Sequence, residues 1–234
     1  MARQKELCAT LKRVSIMIRL ALVLSLGSGC ALSHGVRPIG EKKVAIDASL
    51  GGPIADYMGG KKPLPLSMVG ATYGLTDKTN LHGGLYPSSL AMFGLVGFEM
   101  GASHLVVQPD GPVPALMVDG TLVAFAGNMA SGPPDGGFRA FLQTSLMASW
   151  AYGQNEHLIY TGPEFITQPS PFRSIPGWAV GHRFNAGRWG IGTELGWLAP
   201  FWDNLPPVVE YVGIGGRGAL SFNLGVSVAL GGKK

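Results

Sequence analysis

Two carboxylates, Glu99 and Glu194, are of the type that hydrolases place on either side of a scissile bond. Nothing in the sequence brings them together. The five histidines are His34, His82, His104, His157 and His182. No two share the i, i+4 spacing of a helical metal site, and no cysteine accompanies them in the body of the chain, so no metal centre is expected. The run Gly213-Ile-Gly-Gly-Arg-Gly218 has the glycine density of a phosphate loop. No helical pattern follows it to supply a dipole and free amides. Ser88 and Ser89 follow a proline and lack the Gly-x-Ser-x-Gly elbow of serine hydrolases. The expectation is a protein without catalytic residues and without a cofactor.

Any such residues must be carried by strands. Leu220, Phe222, Leu224, Val226, Val228 and Leu230 occupy every second position, with Ser221, Asn223, Gly225, Ser227 and Ala229 between them. A strand sends successive side chains to opposite faces, so one face is large and apolar and the other small or weakly polar. Segments from Val44, Leu64, Leu81, Leu90, Phe138, His157, Trp178 and Trp189 read the same way, and Ala115 to Phe125 reads as a strand of ambiguous phase, all separated by turn signals such as Pro109-Asp110-Gly111-Pro112. Pro163 interrupts the segment at 157–167, and residues 168–176 and 199–218 read as loops, the second with a short strand near 208–214. No segment reads as a helix. The pattern predicts an all-β, antiparallel, up-and-down barrel of about ten strands, with eight as the alternative.

Composition agrees. Charged residues are 14% of the 234, against roughly a quarter in ordinary globular proteins. Mean hydropathy is +0.24, yet outside the first 30 residues no apolar stretch is long enough for a spanning helix. The net charge of +4 comes largely from Arg3, Lys5, Lys12, Arg13 and Arg19, so the remaining body is close to neutral. No basic stripe interleaved with aromatics is present, which excludes nucleic acid as the expected partner.

Residues 1–29 read as a secretory leader with a basic start and the apolar core Leu20-Ala-Leu-Val-Leu-Ser-Leu26. Translation from Met17 instead of Met1 would give a more compact leader. Leu26-Gly-Ser-Gly-Cys30 resembles the lipobox of bacterial lipoproteins, departing from it in Gly27, where the family usually has leucine. The resemblance implies that Cys30 is lipidated and becomes the mature N-terminus. Residues 30–43 are then a polar tether and residues 44–234 the barrel.

The contents of the two faces decide which one meets lipid. The weakly polar face carries Asp47, Glu99, Arg139, Arg183, Arg188 and Glu194 among glycines and serines, and these charges are expected in the lumen as a salt-bridge network. The apolar face carries Trp150 near a strand end and also Trp178, Trp189, Ile191, Trp197, Phe222, Leu224, Val226 and Val228, which are expected to face lipid. Val69-Gly-Ala-Thr-Tyr-Gly-Leu-Thr-Asp-Lys78 is similar to hairpins of small outer-membrane proteins of Gram-negative bacteria. This chain departs from them in ending its last strand on Leu230 and not on an aromatic residue. The resemblance implies an outer-membrane location with membrane lipid as partner and a structural or narrow-channel role. Two other readings stay open: a periplasm-facing lipoprotein whose soluble barrel binds an apolar ligand, and a membrane-embedded lipid-modifying enzyme using Glu99 or Glu194 with a histidine. A small solute or an apolar ligand is the further partner these readings admit.

Overall fold

The computed structural model describes residues 35–57, 60–64, 66–127, 137–154, 156–169, 172–203 and 210–230. The leader and Cys30 lie outside the described residues. The strands are β1 (Val44–Tyr57), β2 (Gly60–Pro63), β3 (Leu66–Gly74), β4 (Thr79–Leu85), β5 (Val96–Val107), β6 (Ala115–Ala126), β7 (Phe138–Tyr152), β8 (His157–Pro169), β9 (Phe172–Ala186), β10 (Trp189–Asp203), β11 (Glu210–Tyr211) and β12 (Arg217–Leu230), with one short helix, α1 (Pro87–Phe93), before β5.

Each strand from β3 to β10 pairs antiparallel with its successor, and β12 follows β10. β1 closes the sheet. It pairs with β12 from Val44↔Leu230 to Pro53↔Ser221 and with β3 from Val44↔Tyr73 to Gly51↔Leu66. Ten strands form the closed ring, and the short β2 and β11 pair with the far end of β1. Closure removes the unpaired edge that would cost several kcal/mol per orphan backbone group in hydrocarbon.

The two faces separate as the alternation predicts. Ile46, Leu122, Leu142, Ile159, Ile191, Leu195 and Leu224 point outward and are exposed, while Ser49, Glu99, Ser103, Thr121, Gln143, Ser149 and Ser227 point inward and are buried. Trp178 is 50% exposed and Trp189 55%. Phe222, Val226, Val228 and Trp197 share the outward parity and are partly covered by neighbours. Trp150 and Trp189 lie towards one end of the barrel, and Trp178 and Trp197, which are register partners, towards the other. Eight residues of β10 separate Trp189 from Trp197, about 27 Å along a strand at roughly 3.4 Å per residue. A tilt of about 40° reduces this to about 20 Å of height, close to the roughly 25 Å apolar band of outer-membrane barrels.

The two ends differ. The turn end holds the start of β1, the end of β12 and the tight connections β3–β4 and β9–β10. The loop end carries β2, α1 and β11.

Several local expectations are corrected. The segment from Leu90 to Val107 is not one strand. Its first residues belong to α1, which has Pro87 in its first turn and ends on Gly94 in the left-handed conformation (φ 68°), the usual glycine stop. The expected loop at 168–176 is largely strand, because β8 runs to Pro169 and β9 starts at Phe172. Pro163 does not break β8. Its pairing with Trp178 of β9 persists, while the β7–β8 ladder skips from Ser145↔Glu164 to Ala148↔Thr161, where the proline has no N–H to give. β10 extends to Asp203, into the expected loop at 199–218.

The described part of the expected tether is not a tether. Residues 35–39 lie inside the barrel in its turn-end half, where Val36 is 1% exposed against Met147, Leu158, Tyr160 and Ala179. The inward faces of β7, β8 and β9 supply an apolar seat for this valine, and a folded seat of this kind outcompetes solvent for an apolar side chain.

Candidate functional site

The lumen is the candidate site. Its turn-end half is closed by residues 35–39, which the chain holds by their backbone. The Asn80 side chain donates to the Arg37 carbonyl (3.4 Å) and accepts from the Ile39 amide (3.1 Å), as a strand neighbour would. The Arg37 guanidinium donates to the Ser149 hydroxyl (3.0 Å) and carbonyl (3.3 Å), and the Ser149 hydroxyl donates to the Val36 carbonyl (3.2 Å). Gly35 lies against Ser103, where even a Cβ would come within 3.3 Å of the hydroxyl.

Beyond this plug lies a polar cavity of about 70 Å³, bordered by Asp47, His82, Glu99, Asp119 and Arg183. It has room for ordered water and not for an organic substrate. Thr121 donates its hydroxyl hydrogen to Asp119 (2.7 Å), so it accepts from His82 Nε2 (2.9 Å). Thr72 donates to Asp47 (2.7 Å), and the Tyr86 hydroxyl donates to Glu99. A second group sits across the lumen. Tyr160 (2.9 Å) and the Asn223 amide (3.3 Å) donate to Glu194, and Gln143 donates to Glu164 (3.1 Å).

One construction recurs. His82 faces Gly101 in the β4–β5 register, and Gly101 faces Thr121 in β5–β6. Tyr160 faces Gly181 in β8–β9, and Gly181 faces Glu194 in β9–β10. In both cases a long side chain crosses a strand over a glycine to reach a partner two strands away. A Cβ on Gly181 would stand 2.1 Å from the Tyr160 ring, and one on Gly101 would stand 2.5 Å from the His82 ring. The inward glycines are therefore gaps that larger inward side chains occupy. Gly181→Ala should displace the tyrosine and destabilise the barrel by about 1–3 kcal/mol through overpacking. A lowered urea midpoint for heat-modifiable migration on gels checks this.

Of the charged residues expected in the lumen, Asp47, Glu99, Arg183 and Glu194 face it. Arg139 has inward parity but lies exposed at the loop-end rim. Arg188 is a correction. It sits in the exposed β9–β10 turn with its guanidinium donating to the Ala229 carbonyl (3.1 Å), because the strand reverses there and offers no lumen to face. The network expected among these six charges is not what the lumen shows. Asp47, Glu99 and Glu194 take hydrogen bonds from hydroxyl and amide donors. The charged contact inside the lumen is one not expected, His82 with Asp119 at 3.6 Å, an ion pair when the imidazole is protonated. Glu99 and Glu194 border different cavities.

Sequence reasoning missed His82, Asn80 and Glu164 as lumen groups, and put Asn223 on the weakly polar face without giving it a role. Of the histidines expected at turns or interfaces, His104 lies exposed beside Thr79, His157 begins β8 and His182 accepts from or donates to Tyr152, but His82 points inward. Its sequence signal was parity with Asn80 and Gly84 along β4. His34 lies outside the described residues. Among the described residues no cluster of metal-ligating side chains occurs, and no helix is long and apolar enough to cross a membrane.

The loop-end half of the lumen is different. A cavity of about 570 Å³ lies there, walled by Tyr86, Val123, Phe125, Phe141, Ile166 and Leu198. Tyr86 and Phe125 pack with ring centroids 5.5 Å apart. Its floor is polar, with Gln143, Glu164, Glu194 and Asn223.

No family model and no curated protein matches the sequence. The chain is similar to the translocator domain of the autotransporter NalP from Neisseria meningitidis, with 11% identity and a TM-score of 0.41 over 94% of this chain and 97% of that one. It is also similar to the outer membrane protease OmpT from Escherichia coli, with 11% identity and a TM-score of 0.35 over 86% of this chain and 99% of that one. Neither likeness bears on what this chain does.

Proposed function

We propose that this chain is a bacterial outer-membrane β-barrel, lipid-anchored at Cys30, whose lumen is closed on one side by its own residues 35–39 and whose role is structural or that of a narrow, gated channel. The observation that carries the reading is the continuous apolar exterior of a closed ring, with tryptophans towards both ends. Ordinary soluble barrels place charged side chains there. The alternative of a soluble barrel requires the apolar stripe to line an interior cavity, and Ile191, Leu195 and Leu224 are on the outside. The lipid-modifying reading through Glu99 and His82 requires space for a lipid beside them, and their cavity is of water size; Glu194 borders the larger loop-end cavity, whose described lining holds no histidine to act with it. No catalytic role for the lumen acids is part of the proposal.

Fractionation tests it. Wild type and Cys30→Ala should both remain in the membrane after carbonate or urea washing, and both should migrate faster on gels before heating than after. Only wild type should incorporate labelled fatty acid. Release of wild type by carbonate would overturn the integral barrel. Equal fatty-acid labelling of Cys30→Ala would overturn the anchor alone.

A further inference from the structure

The geometry points to a binding site for an organic cation in the loop-end cavity: an apolar body between the aromatic walls, with a protonated amine on the oxygen-lined floor. This goes beyond the membrane reading, since it depends on the closed lumen and not on what surrounds it.

The walls set the first half of the ligand. Tyr86, Phe125 and Phe141 offer ring faces, and Val123, Ile166 and Leu198 complete an apolar surround. A volume of about 570 Å³ falls within the usual range for small-molecule sites, roughly 300–1,000 Å³.

The floor sets the second half. Four donors bordering the cavity are already engaged inward. Gln143 Nε2 gives to Glu164, Asn223 Nδ2 gives to Glu194, the Tyr86 hydroxyl gives to Glu99, and the Ser89 hydroxyl gives to the Tyr86 and Leu95 carbonyls. What these groups leave for a ligand is acceptor capacity. Asn223 is 7% exposed, and its Oδ1, turned towards Gly51 of β1 at the edge of the floor, is a buried acceptor with no hydrogen-bond partner. Because Nδ2 is fixed against the Glu194 carboxylate, this oxygen cannot be exchanged for the amide nitrogen by a flip. An unpaired buried acceptor costs about 1–3 kcal/mol until a donor arrives. Beside it stand the Glu194 and Glu164 carboxylates, both buried. A floor of this kind rejects anions and carbonyl oxygens and favours a head with several N–H donors and a positive charge. Ring faces attract the same charge. The one arginine of the lining, Arg139, is at the exposed rim, away from the floor.

The test uses full-length protein in uncharged detergent and a water-soluble probe, 4-phenylbutylammonium, with 4-phenylbutanol and 4-phenylbutyrate as neutral and anionic counterparts. The ammonium should bind saturably, and at least tenfold more tightly than either counterpart. Glu194→Gln and Asn223→Leu should each weaken it at least tenfold. Ile166→Trp, which fills the cavity from the wall and leaves the floor intact, should abolish binding while heat-modifiable migration stays normal, so the site remains testable where a floor variant fails to fold. Absence of saturable binding to wild type, equal binding of the alcohol or the carboxylate, or unchanged binding by folded Ile166→Trp would each overturn the inference. All of these outcomes are independent of carbonate extraction and fatty-acid labelling, so failure of this site and failure of the membrane reading are distinguishable.

Discussion

Val226→Arg should destabilise the folded barrel in lipid vesicles by about 2 kcal/mol, the low end of the roughly 2–4 kcal/mol that an arginine costs at the bilayer midplane, because Val226 stands between the level of Trp189 and the middle of the apolar band. Val226 lies in β12 with Ala48 and Ile191 as its neighbours across the sheet, all of outward parity. No inward rotation is available to the new side chain, because the pleat holds position 226 on the outward face and its paired neighbours on both sides fix the strand in place. Leu230→Arg, at the turn-end edge of the same strand, should cost only about 0–1 kcal/mol, since the guanidinium reaches the interface there. Urea titration of heat-modifiable migration reads both. The contrast between the positions is the informative quantity. An exterior in water would tolerate each change within about 0.5 kcal/mol, and equal small costs at both sites would exclude a hydrocarbon surround.

Val36→Asp should release the lumen plug and convert a silent barrel into a conducting one in planar bilayers. Val36 is among the most deeply buried side chains described, and losing its apolar contacts costs about 1.5–3 kcal/mol. An aspartate among Met147, Leu158 and Ala179 adds a desolvation cost of several kcal/mol. The segment forms no rung of the barrel ladder, so it can leave without breaking a strand pair. Its departure vacates space bordering the central cavity, lined by Gly35, Arg37 and Ile39, a small cavity beside Glu194 lined by Val36, and a cavity of about 640 Å³ at the turn end lined by Arg37, Pro38 and Ile39. Asn80→Ala is the milder companion. It removes both bonds to the segment's backbone, costs about 1–3 kcal/mol, and should raise the open fraction without the buried charge. Folded variants that stay silent would show that the remaining lumen side chains, and not residues 35–39, block passage.

Much of this architecture was legible because a strand's period of two is a local property. The segment from Leu220 to Leu230 reads as one strand with a greasy and a small-residue face, and β12 is that strand. The tryptophans could be assigned outward for the same reason. α1 was missed because Leu90, Met92 and the residues after Gly94 continue an apparent alternation, and seven residues are too few to separate a period of two from one of 3.6. Pro87 and Gly94 were the available signals. The plug was missed for a different reason. Gly-Val-Arg-Pro-Ile has no periodicity, and its burial depends on a seat assembled from β7, β8 and β9.

The amino-acid order by itself determined the alternation, the turn positions and the composition of each face, because these are set by neighbours along the chain and by where large apolar groups can be buried. Only the closed ring decided which lumen groups meet. His82 reaches Thr121 and Tyr160 reaches Glu194 across strands whose register is set by every pair around the barrel, over glycines whose meaning appears once the curved sheet brings a larger side chain above them. The same curvature divides the interior into a plugged polar half and an aromatic-walled cavity, a partition that no local window of sequence contains.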